Sequence, residues 1–102
     1  MTYKPEPSRA SVEQVAGPTV LEFGENWCSH CIGAQPLIEA ALASYKQVRH
    51  VKAQDGKGRP LGRFYQVKLW PTLIFLRDGK EIARVVRPQD ANAVSEALAK
   101  IA

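Results

Sequence analysis

Thr19-Val20-Leu21-Glu22-Phe23 leads through Gly24-Glu25-Asn26 into Trp27-Cys28-Ser29-His30-Cys31, and the chain continues as Ile32-Gly33-Ala34-Gln35-Pro36. The first five residues are dense in β-formers and apolar except for one acid, which predicts a buried central strand. From Cys28 onward Ala, Leu, Ile and Gln dominate. Ile38, Leu42 and Tyr45 stand at i, i+4 and i+7, so a helix is expected to run to about Lys46. A strand that feeds a helix in this way sets the Cys28 sulfur beside unpaired N–H groups at the positive end of the helix dipole. Thiolate is favoured there, and thiolate is the nucleophile. Cys28 is therefore expected to be open to solvent, with Cys31, one turn later, within disulfide reach and facing further inward. Such a pair can exchange two electrons: Cys28 attacks a disulfide, a mixed disulfide forms, and Cys31 resolves it.

Outward from this segment, Pro36 has no N–H for the carbonyl of Ile32, so the helix is expected to kink there. Residues 48–54 read as a second strand and 55–60 as a loop, whose glycines lack any phosphate-cradle spacing. A short helix over 61–65 precedes Trp70-Pro71. Next comes Thr72 to Leu76, then Asp78-Gly79, then Glu81 to Val86: two strands joined by a pair suited to a type I′ turn. The tail from Gln89 to Ile101 is amphipathic, with Val94, Ala97, Leu98 and Ile101 on one face. At the other end, residues 1–7 carry Pro5 and Pro7 and read as an extended, fraying arm. Ser8 to Ala16 reads as a short helix with Val12 and Val15 turned inward, ended by Gly17-Pro18. The order is α-β-α-β-α-β-β-α. It predicts an α/β fold, a small mixed sheet with helices on both faces, built as a single domain over 1–102.

The composition agrees with that size. The chain has 102 residues, 45% hydrophobic and 24% charged, with a net charge of +4, as expected of a globular protein with one core. Its arginines and lysines are scattered, so no nucleic-acid partner is expected. No apolar run approaches the ~20 residues needed to span a bilayer, so no membrane association is expected either. The first residues have no apolar leader pattern, which points to the cytoplasm, or to the periplasm if a leader has been removed. A bridge between Cys28 and Cys31 would close a tiny loop and restrain little, so their purpose is expected to be chemical. Two other readings stay open: half of a zinc site, which needs four ligands and so a second chain, and two small buried side chains that happen to be neighbours.

With these features in place the chain resembles the thioredoxin-fold thiol–disulfide oxidoreductases over roughly residues 19–101. Trp27 before the first cysteine, Pro36 five residues after Cys31, Trp70-Pro71-Thr72 and Asp78-Gly79 fall in that family's order. The resemblance implies a thioredoxin fold and a cis peptide before Pro71. That peptide would turn the backbone of Trp70 toward an extended substrate; an ordinary strand-start proline is the alternative. It also places Glu22 where the family has a buried acid beneath the second cysteine, with Lys52 as its partner. Glu22 is then expected either to face solvent or to have a raised pKa and act as an acid/base; a plain Glu22–Lys52 ion pair is the alternative.

Three departures stand out. Ser29-His30 lies between the sulfurs where thioredoxin has Gly-Pro, and His30 can favour the Cys28 thiolate and a more oxidising disulfide, or simply be solvated. Trp70 replaces a smaller aliphatic residue. Gly24 replaces a tryptophan, and Arg87 a groove-lining glycine. The catalytic set is thus expected to be Cys28, Cys31, Glu22 and Lys52. Trp27, Ser29, His30, Trp70, Pro71 and Arg87 are expected to line the substrate surface. The family resemblance implies protein disulfides as substrates, a reductase or other dithiol protein as electron donor, a monomer, no metal, and no cofactor beyond the Cys28–Cys31 disulfide itself. The competing function is a non-catalytic binding or adaptor module that uses the Pro71 groove, with the dithiol vestigial or holding a metal.

Overall fold

A computed structural model describes residues 2–102; Met1, the first residue of the arm, lies outside them. The elements are α1 (Arg9–Glu13), β1 (Pro18–Gly24), α2 (Ser29–Leu42), β2 (Arg49–Gln54), α3 (Pro60–Phe64), β3 (Thr72–Arg77), β4 (Lys80–Val86) and α4 (Ala91–Ile101), in the expected order. The sheet order is β2-β1-β3-β4; β1 runs parallel to β2 and antiparallel to β3, and β3 antiparallel to β4. This makes β1 an interior strand, flanked on both sides.

Successive side chains of a strand point to opposite faces, so each inner strand serves two cores. Val20, Leu73 and Phe75 pack with Ile38 of α2 and with Val94 and Leu98 of α4. Leu21, Phe23, Ile74 and Leu76 pack on the other side with Val12 of α1 and with Leu61 and Tyr65. The same alternation puts Glu22 on the α2 side with Val20. At the β3–β4 turn Asp78 and Gly79 have φ of 52° and 79°, the two positive values of the expected turn.

Two helices are shorter than their periodicity implies. Ser8 caps α1, its Oγ accepting from the Ser11 N–H at 3.1 Å, but the helix stops at Glu13 and Val15 is only half-buried. The residues that follow must reach β1, and Gly17 makes the bend with φ of 80° while its N–H donates to Asp78 Oδ1 at 2.8 Å. Helix α2 runs through Pro36 and ends at Leu42 rather than Lys46. The Tyr45 N–H then donates to the Leu42 carbonyl and the Val48 N–H to the Tyr45 carbonyl. These tight turns keep Leu42 and Tyr45 against the core without helix.

The arm, in its described residues, is docked rather than frayed. It lies along β2, an edge strand whose outer backbone groups need partners. Lys4 N–H donates to the Lys52 carbonyl at 3.0 Å and Gln54 N–H to the Lys4 carbonyl at 2.7 Å, forming a parallel bridge between Lys4 and Ala53. The Tyr3 N–H donates to Asn26 Oδ1 at 2.8 Å, and Glu6 Oε2 accepts from the Leu61 N–H. Tyr3 is thereby carried inside, 5% exposed.

Candidate active site

Cys28 is the N-cap of α2, with extended φ and ψ of −78° and 119°. Its Sγ accepts from the Cys31 N–H at 3.2 Å, so the first sulfur meets the backbone donors that open the helix. Both cysteines are free thiols. Cys28 is the more accessible of the two, yet at 7% against 1% it is far less open than the sequence suggests. Tyr3 and Trp70 cluster with the two sulfurs and cover them. Burial, followed by the hydrogen bond with Cys28, pushes the Cys31 thiol up to about 11.

Beneath Cys31 lies a closed polar cluster. Glu22 neither faces solvent nor has a raised pKa. It is fully buried; burial alone would raise its pKa, but hydrogen bonds from His50, Tyr3 and Gln35, together with the charge of His50, outweigh that and hold the carboxyl below the usual range. His50 Nε2 stands 2.7 Å from Oε1, Gln35 Nε2 donates to Oε2 at 2.9 Å, and the Tyr3 hydroxyl donates to Oε2 as well. Lys52 faces Glu22 in register. Its ammonium donates to Gln35 Oε1 at 2.6 Å and lies 4.5 Å from the centre of the Tyr3 ring. Gln35 thus links Lys52 to Glu22, and the two expected residues belong to a larger network with Tyr3, Gln35 and His50, which the sequence reading missed.

The outer side of the dithiol is different. Trp27 is 73% exposed and meets Trp70 edge-on, ring centres 5.6 Å apart. Trp70 is held from behind by Nε1 donating to Asp55 Oδ2 at 2.8 Å. The Trp70–Pro71 peptide is cis. The Trp70 carbonyl, expected to be available to a substrate, already accepts from Arg87 Nε at 2.8 Å, while the Arg87 N–H donates to the Pro71 carbonyl. Arg87 sits at φ of 49°, the left-handed region that suits glycine, which explains the glycine of the family pattern there. Ser29, His30, Gly33, Arg87 and Pro88 line one groove beside Cys28. His30 is exposed and makes no hydrogen bond to either sulfur among the described residues.

Gly24 explains the missing tryptophan. A Cβ there would lie 2.6 Å from Cys31 Sγ and 2.7 Å from Tyr3 Cζ, so the volume a larger side chain would need is filled by Tyr3.

The family model described as Thioredoxin matches residues 2–100. A thioredoxin of Chlamydia trachomatis is 33% identical over 86 residues, covering 83% of each chain. Thioredoxin-2 of Saccharomyces cerevisiae is 32% identical over 80 residues, 78% of this chain and 76% of its own. The solved structure of thioredoxin 2 from Pseudomonas aeruginosa PAO1 in its reduced form superposes with a TM-score of 0.89 at 50% identity, over 99% of this chain and 94% of that one. With two free thiols one helical turn apart, these matches do not favour a non-catalytic binding module. The chain belongs to the thioredoxin family and is a thiol–disulfide oxidoreductase that works through the Cys28–Cys31 dithiol.

Proposed function

We propose that the chain reduces or exchanges disulfides of other proteins, with Cys28 as the attacking thiol and Cys31 as the resolving one. The observation that carries this division of labour is the position of Cys28 Sγ at the N-cap of α2, accepting from the Cys31 N–H at 3.2 Å while Cys31 lies deeper. A sulfur so placed is the better nucleophile at neutral pH, and its neighbour is in position to displace whatever it captures. Electrons come from the dithiol of another protein, and no redox group beyond the two sulfurs is required. The substrate segment lies across the mouth formed by Trp27, Ser29, His30, Trp70, Pro71 and Arg87. Its exposed aromatic surface suits an extended peptide with a disulfide at its centre.

The experiment is a trapping pair. Cys31→Ser is expected to accumulate mixed disulfides with protein substrates, and Cys28→Ser to abolish insulin reduction. If Cys28→Ser reduces insulin at the unaltered rate, the assignment is wrong.

A further inference from the structure

The resolving step needs the Cys31 proton removed, yet Cys31 is buried and the acid beneath it is also buried. What stands between them is a side chain from the other end of the sequence. The Tyr3 hydroxyl donates to Glu22 Oε2, and the Tyr3 side chain packs with Cys31 in one buried cluster. Both groups crowd one face of Gly24, where a Cβ would meet Cys31 Sγ at 2.6 Å and the Tyr3 oxygen at 2.8 Å. Tyr3 is fixed there from its backbone, by Asn26 and by the bridge of Lys4 to β2.

We propose that Tyr3, carried in by the N-terminal segment, relays the proton of Cys31 to Glu22 when the mixed disulfide is resolved. This rests on the oxidoreductase reading of Cys28 and Cys31. The Cys31 S–H bond breaks and its proton passes to the Tyr3 oxygen as the Tyr3 proton passes to Glu22 Oε2. The freed electron pair of Cys31 forms the bond to Cys28 Sγ. The bond from Cys28 to the substrate sulfur breaks, and that sulfur leaves with its pair and takes a proton from water. The two cysteines together lose two electrons and the substrate disulfide gains them. Glu22 gives its proton back to solvent past His50, whose Nε2 is 2.7 Å from Oε1 and whose side chain is 16% exposed. The charged or titratable groups that face the relay are Glu22 on β1, His50 and Lys52 on β2, and Cys28 and Cys31 at the start of α2. The Tyr3 hydroxyl is held far above its usual pKa, by burial first and then by the Glu22 charge, so it stays protonated and passes a proton without itself becoming an anion.

A single-turnover reaction with DTNB separates the steps, because capture by Cys28 releases one thionitrobenzoate and attack by Cys31 releases the second. Tyr3→Phe keeps the ring and is expected to leave the first phase within about twofold while slowing the second at least ~10-fold, the low end for loss of a proton-transfer group. Its second phase should climb with alkaline pH, whereas the wild-type phase is much flatter. Glu22→Gln should slow the same phase, and the double variant should be no slower than either single one. In the wild type, deuterium oxide should slow only the second phase, a readout independent of any variant's folding. An unaltered second phase in Tyr3→Phe, equal slowing of both phases, or no isotope effect overturns the relay while leaving the oxidoreductase intact. A wild-type protein that never releases the second equivalent overturns the oxidoreductase reading, and the relay with it.

Discussion

The two sides of the dithiol are built on opposite plans. Inward from Cys31, Tyr3, Glu22, Gln35, His50 and Lys52 form a polar cluster in which the buried carboxylate has three named donors. Outward from Cys28, Trp27 is 73% exposed, and Arg87 is tied to a backbone carbonyl. In a low-dielectric interior every polar group must be paired, so the inner side is rigid and removing one member strands the others. At the mouth water can replace any lost contact. Inner substitutions should therefore act on stability and proton chemistry, and outer ones on recognition and rate.

The largest test of that contrast is Glu22→Ala against Trp27→Ala. Removing Glu22 leaves His50 and Tyr3 without their acceptor and Gln35 Nε2 with only the Cys31 carbonyl, at 3.0 Å, as a close acceptor, and breaking such a buried network typically costs about 3–5 kcal/mol. At ~4–8 °C per kcal/mol for a domain of this size, Tm should fall by more than ~10 °C. Trp27→Ala should change stability by no more than about 0.5 kcal/mol, as surface substitutions do. Equal losses in thermal melts of the two variants would erase the distinction.

The pH dependence sharpens it. Because Glu22 is held below its ordinary value of 4.5, its contribution is complete above that pH and is lost as the pH falls through the lowered folded value. Cys31 has the opposite sign. Raised from 9.0 to about 11, its contribution is present below 9.0 and fades as the pH rises through about 11. Denaturant titrations from pH 2 to 11 should show both limbs in the wild type, the acid limb shrinking in Glu22→Gln and the alkaline limb in Cys31→Ser.

The outer side and the frame were the legible parts of the sequence. A run dense in β-formers gave β1, the hairpin signal around Asp78-Gly79 gave β3, β4 and their turn, and Cys28-Ser29-His30-Cys31 after a strand gave the redox pair, because each signal is local. His50 was readable in principle: on a strand parallel to β1 it shares the face of Lys52 and so of Glu22. Tyr3 was not. Its contact with Glu22 spans nineteen positions and depends on a Pro-containing arm docking on an edge strand, which leaves no periodic trace. The one hint was Gly24, a departure whose vacated volume had to be filled from elsewhere.

At the mouth the effects should be smaller and kinetic. Arg87→Gly releases the Trp70 carbonyl for a substrate N–H and places glycine at a φ of 49°. With one hydrogen bond worth about 1 kcal/mol, KM for insulin should fall about fivefold with kcat little changed and no loss of Tm. A rise in KM would instead make the guanidinium a substrate contact.

His30 should produce the smallest change. It is exposed on the first turn of α2 and bonds neither sulfur among the described residues, so its influence on the Cys28 thiolate is that of a screened surface charge, about 0.5–1 kcal/mol at most. For a two-electron couple 1.4 kcal/mol corresponds to about 30 mV, so His30→Ala should lower the reduction potential by ~10–20 mV in glutathione equilibration, toward a less oxidising disulfide. The shift should shrink as ionic strength rises, since it acts through solvent. A salt-independent drop several times larger would mean that His30 bonds the thiolate directly in the working protein, and the outer side would then share the ordered character of the inner one.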